Sequence, residues 1–206
     1  VVGRDRYVEY VSWLANVATS CEKILQEIRN LQRSEIQEAG EGFDVKKQVG
    51  SSTMAHKKNP IKSENASGLA RIVRSFIIPT YENALLWHER DLANSSSERF
   101  TLSHGSALCE DVLAKTRQVL ETMWVDDERC MENIKSQRGL VMAEKVMIDL
   151  VERGIPRDEA HEILREASFT AVANKEELID VCSRTPAISA AFSAEELEAM
   201  FEPSNH

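Results

Sequence analysis

Residues 5–35 read DRYVEYVSWLANVATSCEKILQEIRNLQRSE, a run without a proline or a glycine. Apolar or small residues recur at Val11, Leu14, Ala18, Cys21, Leu25 and Ile28. Steps of three and four keep one face of an α-helix apolar. A second stripe, Val17, Ile24 and Leu31, predicts burial on more than one side. At ~1.5 Å per residue this helix is roughly 45 Å long. That is too long for the core of a compact chain of 206 residues. It fits one rod of an elongated helical bundle shared between chains. The expected fold is therefore all-α.

Composition points the same way. Glycine (8) and proline (5) are scarce, while Ala, Leu, Glu and Lys are plentiful, which favours helices. The net charge of −9 argues against nucleic acid or an anionic membrane surface as a partner. No run approaches the ~18–20 apolar residues of a membrane span, and no secretory segment opens the chain. Cys21, Cys109, Cys130 and Cys182 are widely spaced with no CxxC pair. That spacing predicts neither a structural zinc nor a disulfide framework, and it suits a reducing cytoplasm. No metal or organic cofactor is expected. The chain opens on Val1 rather than Met, with a helical pattern almost at once, so a natural N-terminal portion is expected to be absent.

Outward from the first helix, residues 36–60 break the pattern. Gly40, Gly42 and Gly50 punctuate a polar connection and are candidate hinges. Asn59-Pro60 reads as an N-cap and first helical residue. A helix then runs through Ile61, Leu69, Ile72, Val73, Phe76 and Ile77, and Pro79 should kink or end it. After the polar stretch Trp87–Ser96 a further long helix carries Phe100, Leu108, Val112, Val119 and Met123. Beyond Val125 the helices become short: 140–153, stopped by Gly154 and Pro156; then 157–173; then a last helix behind Ser193-Ala-Glu-Glu196, a capping-box pattern. The expected domains are 1–125, the end of a central helical bundle with a loop at about 43–60, and 126–206, a small all-α C-terminal domain.

The loop concentrates charge. Residues 44–74 hold Lys46, Lys47, Lys57, Lys58, Lys62, Arg71 and Arg74 against only Asp44 and Glu64. A Gly-Ser-Ser turn, an ammonium group and a helix start together make an anion site. Gly50-Ser51-Ser52-Thr53-Met54-Ala55-His56-Lys57-Lys58-Asn59-Pro60 resembles the GSSxMPxKxNP signature of the fumarase/aspartase superfamily. The departure is Ala55, where that family usually has proline, which loosens the loop backbone without removing a polar group. His56 before Lys57-Lys58-Asn59-Pro60 is most similar to the adenylosuccinate lyase and carboxymuconate cycloisomerase branches. Trp87-His88-Glu89-Arg90-Asp91-Leu92, with Ser95 and Arg99, resembles the W-x-E-R-D stretch of the former branch. Residues from Arg138-Gly139-Leu140 through Arg157-Asp158-Glu159-Ala160-His161 are similar to its C-terminal domain.

The resemblance implies a β-elimination that releases fumarate from adenylosuccinate and from the succinylated imidazole ribotide of purine synthesis. It implies Ser51 as general base, its alkoxide stabilised by loop N–H groups and a cation, with Ser52 as its alternate. Lys57 would supply charge beside the substrate carboxylate, Asn59 would bind the fumaryl part, and Glu64 would support that layer. Arg90, Ser95 and Arg99 would hold the phosphate side, a task suited to the planar guanidinium. Loop closure would exclude water. The family's acid histidine is expected upstream of Val1, not at His56. The family also implies a homotetramer whose active sites combine segments of three subunits, so the isolated chain is expected to turn over little substrate.

Each residue also has a plain reading. Ser51 and Ser52 are turn serines, Asn59 a helix cap, Glu64 a first-turn charge favoured by the helix dipole. Arg90 and Arg99 are then surface ion-pair partners worth little. Two rival functions follow: a sister enzyme such as a carboxymuconate cycloisomerase, or a non-catalytic helical oligomerisation module.

Overall fold

A computed structural model of the chain describes residues 2–42, 58–88 and 90–205. Helix α1 spans Asp5–Leu31, with Asp5 in its first turn and Arg29 in its last, charges that suit the helix dipole. Val11, Leu14, Ala18, Cys21, Leu25 and Ile28 are all buried, so the first apolar stripe forms the core face. The second stripe is only partly covered: Ile24 is 42% exposed, Leu31 is half-buried, and half-buried Val17 packs against the core formed by the first stripe.

Helix α2 (Ile61–Ser75) buries Ser63, Ala66, Ser67, Ala70 and Val73. These small side chains let its backbone lie close against α1. The helix stops at Ser75, and α3 (Ile77–Glu82) carries Pro79 within its first turn. Pro79 lacks the N–H that would reach the Ser75 carbonyl, and its ring crowds that group, so the break falls a turn before the proline. The expected single helix after Ser96 is two: α4 (Ala93–Thr101) and α5 (Ser103–Thr122). Val112 and Val119 of α5 are fully buried, whereas Phe100 of α4 is 60% exposed and belongs to no core stripe.

Helices α1, α2 and α5 share two apolar clusters. One joins Leu14, Ala18, Cys21, Ala70, Val73, Cys109 and Val112; the other joins Leu25, Ile28, Ala66 and Val119. Burying a Leu or Val side chain fully is worth about 1.5–3 kcal/mol. Two short strands, β1 (Ala39–Gly40) and β2 (Trp124–Val125), pair antiparallel and tie the chain after α1 to the end of α5. These elements form one compact unit, residues 1–127.

The second unit covers residues 128–206. It contains most of α6 (Asp127–Ser136), then α7 (Ala143–Glu152), α8 (Arg157–Asn174), α9 (Leu178–Arg184), α10 (Pro186–Ala191) and α11 (Ala194–Phe201). Its core holds Val146, Leu150, Leu164, Leu178, Val181, Cys182, Ile188, Phe192 and Leu197. Gly154, at φ 94°, ends α7: its N–H and that of Ile155 reach back to the Val151 and Leu150 carbonyls. The capping box forms as the sequence reads: Glu196 N donates to Ser193 Oγ at 3.2 Å, and Ser193 N donates to Glu196 Oε2 at 2.8 Å. Among the described residues no helix is long and apolar enough to cross a membrane.

Candidate active site

Ser51, Ser52 and Lys57, with Gly50 and His56, lie outside the described residues. The residues on either side of 43–57 are held in one hydrogen-bonded assembly. Gln32, the residue that closes α1, donates from Nε2 to the Lys58 carbonyl at 2.9 Å. Its Oε1 accepts from Glu41 N at 2.8 Å. The Glu41 carboxylate accepts from Lys62 N at 3.1 Å, and from Ser63 N and Ser63 Oγ at 2.9 Å each.

This corrects two expectations. Residue 60, not Asn59, precedes α2, and its side chain caps nothing; Glu41 satisfies the first turn instead. A proline ring has no oxygen to accept with, so the cap comes from elsewhere in the chain. Nor are Gly40 and Gly42 hinges. A Cβ on Gly40 would stand 2.6 Å from the Trp124 ring, and one on Gly42 would stand 2.2 Å from the Thr122 carbonyl oxygen. Both glycines permit close packing. Gly50, the third candidate hinge, lies outside the described residues.

Asn59 is half-buried and Glu64 exposed, and both line a cleft of about 1100 Å³ with Arg29, Arg33, Lys58 and Trp124. The basic cluster read from the sequence divides. Arg74 pairs with Glu22 of α1 at 2.5 Å, and Arg71 approaches the same carboxylate at 3.8 Å. These two arginines lie about 15 and 20 Å along α2 from its start and do not add to the charge near Lys58 and Asn59.

The other candidates sit on and before α4. Asp91 folds the turn into this helix, accepting from Ala93 N at 2.9 Å and Trp87 N at 3.3 Å. Ser95 and Arg99, four residues apart, share one face, and Arg99 is exposed. Asn94 and Glu98 share the neighbouring buried face. Glu98 accepts from Arg4 Nε at 2.7 Å and from Asn94 Nδ2 at 2.8 Å. Burial pushes the Glu98 carboxyl upward, but hydrogen bonds from Arg4 and Asn94 and the charges of Arg4 and Arg90 outweigh it, leaving it below the usual carboxylate value. Arg90 is exposed at the same end. Among the described residues neither Arg90 nor Arg99 makes an ion pair within 4 Å, though the charge of Arg90 acts on Glu98. Sequence reasoning missed Gln32, Glu41, Arg4 and Glu98, because each is joined to its partner only by the fold.

The two groups of candidates do not meet within the chain. Asn59 and Glu64 stand near Gln32, at the C-terminal end of α1. Ser95 and Arg99 stand near Arg4, at its N-terminal end. The 27 residues of α1 put roughly 40 Å between them.

A family model described as "Lyase" matches residues 1–75, and one described as "Adenylosuccinate lyase C-terminus" matches residues 139–206. The chain is 44% identical over 206 residues to an adenylosuccinate lyase of Archaeoglobus fulgidus, and 43% identical to one of Methanothermobacter thermautotrophicus. Along its whole length the chain is similar to adenylosuccinate lyases. Both matches take in all of this chain and 46% of the relative, so it spans under half the length of the curated adenylosuccinate lyases it matches. Among solved structures, a fumarate lyase from Mesorhizobium sp. BNC1 superposes with a TM-score of 0.85 at 27% identity, covering 99% of this chain and 44% of that one. A 3-carboxy-cis,cis-muconate lactonizing enzyme from Pseudomonas putida gives 0.82 at 33% identity, covering 98% and 44%. The all-α architecture of this chain is thus shared with solved enzymes of the lyase type.

Proposed function

We propose that this chain is part of an adenylosuccinate lyase that eliminates fumarate from adenylosuccinate and from succinyl-carboxamide imidazole ribotide in purine nucleotide synthesis. The observation that carries the reading is similarity along the whole chain to archaeal adenylosuccinate lyases, including a match to the C-terminal region that bears the enzyme's name. In this reading residues 1–125 complete a central helical bundle and 126–206 form a small helical domain.

Ser51, as alkoxide, takes the proton from the carbon beside a substrate carboxylate. The electron pair left on that carbon forms the new double bond, the carbon–nitrogen bond breaks, and its pair passes to nitrogen, which is protonated by an acid from a region upstream of Val1. The carbanionic intermediate carries extra negative charge, and Lys57 and Asn59 stabilise it more than the ground state, which is where rate is gained. Ser52 and Glu64 support that end of the substrate, while Arg90, Ser95 and Arg99 hold the phosphate.

A succinylated nucleotide is far shorter than the roughly 40 Å between these two groups. The separation supports active sites completed by different subunits of a homotetramer, binding adenylosuccinate, fumarate and AMP. The exposed Ile24 of α1 supports the same assembly: with Leu113 and Leu120 of α5 it lines an apolar groove of about 460 Å³. In the full-length enzyme, Ser51→Ala and Arg99→Ala should each abolish or sharply reduce fumarate release, and mixed oligomers of the two should regain part of it. No recovery on mixing would sink the shared-site reading. The isolated 206-residue chain should release little fumarate without its complementary N-terminal half.

The solved lactonizing enzyme favours one alternative, a cycloisomerase acting on a muconate. Titration of the assembled enzyme with AMP separates the two, since a muconate needs no phosphate site; an enzyme that does not bind AMP is not an adenylosuccinate lyase.

A further inference from the structure

Glu41 is 3% exposed, so its carboxylate has been taken out of water. Such a group is costly to bury unless hydrogen bonds replace its hydration. Here they come from the first turn of α2, through Lys62 N, Ser63 N and Ser63 Oγ, where otherwise unpaired N–H groups and the helix dipole favour an anion. Capping alone does not require this arrangement, because a local Ser or Asp would serve. Glu41 reaches α2 from 22 residues away, and its own N–H is fixed by Gln32 at the end of α1. Gln32 uses its other amide atom on the Lys58 carbonyl. Asn59 therefore lies between two pinned points: the Lys58 carbonyl before it and the Lys62–Ser63 amides after it. Glu64 follows directly on the second.

We infer that Gln32 and Glu41 are positioning residues for the reaction: they set where Lys58–Asn59–Pro60 enters α2, and so place Asn59 and Glu64 without touching substrate. This rests on the lyase reading of the site. A displacement of about 1 Å in a substrate-contacting group can cost on the order of 100-fold in rate. The phosphate candidates Arg90 and Arg99 belong to the far end of α1 and should be untouched.

Gln32→Ala, which removes both Gln32 bonds but leaves the Glu41 cap, and Glu41→Gln, which sets an NH2 group against one donor, are made in the full-length enzyme. Fumarate release, AMP affinity, thermal melting and hydrogen exchange at residues 41, 62 and 63 are compared with wild type. The expected result is a kcat loss of about tenfold or more in each variant, AMP affinity within about twofold, and faster exchange at the Glu41 amide in Gln32→Ala and at the Lys62 and Ser63 amides in Glu41→Gln. Unchanged kcat in Gln32→Ala overturns the inference. So does loss of kcat, AMP binding and cooperative melting together, which marks a structural role only. Should wild type itself release no fumarate, the lyase reading falls separately, and unchanged exchange at the three amides in both variants then overturns the clamp.

Discussion

Gly42→Ala should destabilise residues 1–127, and the size follows from one contact. The new Cβ would stand 2.2 Å from the Thr122 carbonyl oxygen and 2.9 Å from its carbonyl carbon. A comfortable carbon–oxygen contact is about 3.3 Å or longer, so one backbone must retreat by about 1 Å. No rotamer relieves a clash with backbone. Overpacking costs about 1–3 kcal/mol, and this case belongs at the upper end. Against it stands about 0.4–1 kcal/mol from the stiffer unfolded chain. The net loss should be about 2–3 kcal/mol. Gly105→Ala in α5 is the control: its Cβ would meet Phe76 at 3.6 Å and Leu14 at 3.7 Å, ordinary contacts in a helix interior. It should gain about 0.5–1 kcal/mol. Trp13, Trp87 and Trp124 all lie in the first unit, so tryptophan fluorescence in urea reports that unit alone. With a slope of about 2–3 kcal/mol per molar, the two variants should separate by roughly 1 M in midpoint. Coincident midpoints, or a Gly105→Ala variant less stable than Gly42→Ala, would refute the reasoning.

Glu98→Gln should be less stable than wild type at pH 7. The folded-state carboxyl lies below its unfolded value, so its stabilisation is present above the unfolded value, near pH 4.3, and is lost as pH falls through the folded one; urea midpoints at pH 7 and pH 3 should show the gap narrowing, and a constant or wider gap counts against it. Burial pushes the Cys182 thiol up to about 11, and Cys21 and Cys109 are buried too. A thiol reagent at pH 8 should therefore label half-buried Cys130 first, with Cys182 reacting only on unfolding, as mass mapping of the labelled peptides will read. Ser193→Ala removes a capping-box acceptor and should cost about 1 kcal/mol, measured by circular dichroism in urea, while Ser204→Ala serves as a neutral control.

What was legible in the sequence was local. The stripe from Val11 to Ile28, the glycine stop at Gly154 and the Ser193–Glu196 cap each depend on residues a few positions apart, and each is where the pattern places it. What was not legible depends on residues brought together across the fold. Glycines 40 and 42 sit in a polar stretch and read as hinges, because nothing nearby announces Trp124 or Thr122. Asn59-Pro60 reads as a cap because the true acceptor, Glu41, lies on the far side of the motif. The charge count over 44–74 cannot know that Glu22 lies against Arg71 and Arg74. For the site, Ser51, Ser52 and Lys57 stand out only through an eleven-residue pattern, whereas Arg4 and Glu98, 94 positions apart, carry no pattern at all.

The two ends of α1 are built alike, and this bears on why such costly groups are kept. At one end a buried carboxylate, Glu41, gathers three donors from α2; at the other, a largely buried carboxylate, Glu98, gathers Arg4 and Asn94. Apolar residues of similar size often stabilise a fold as well as buried charge does. Apolar packing, however, tolerates a shift of register, while a carboxylate with several fixed donors is satisfied in one arrangement only. Each glutamate is also close in sequence or space to candidates that would touch substrate: half-buried Asn59 and exposed Glu64 at one end, half-buried Ser95 and exposed Arg99 at the other. Turning α4 by one residue to bury Ser95 would expose Glu98 and break its pair with Arg4. The inward acid thus fixes the direction of the outward ligand. Under the proposed shared site, that local precision would matter more, since errors at both ends of a 27-residue helix would add up in a site assembled from different subunits.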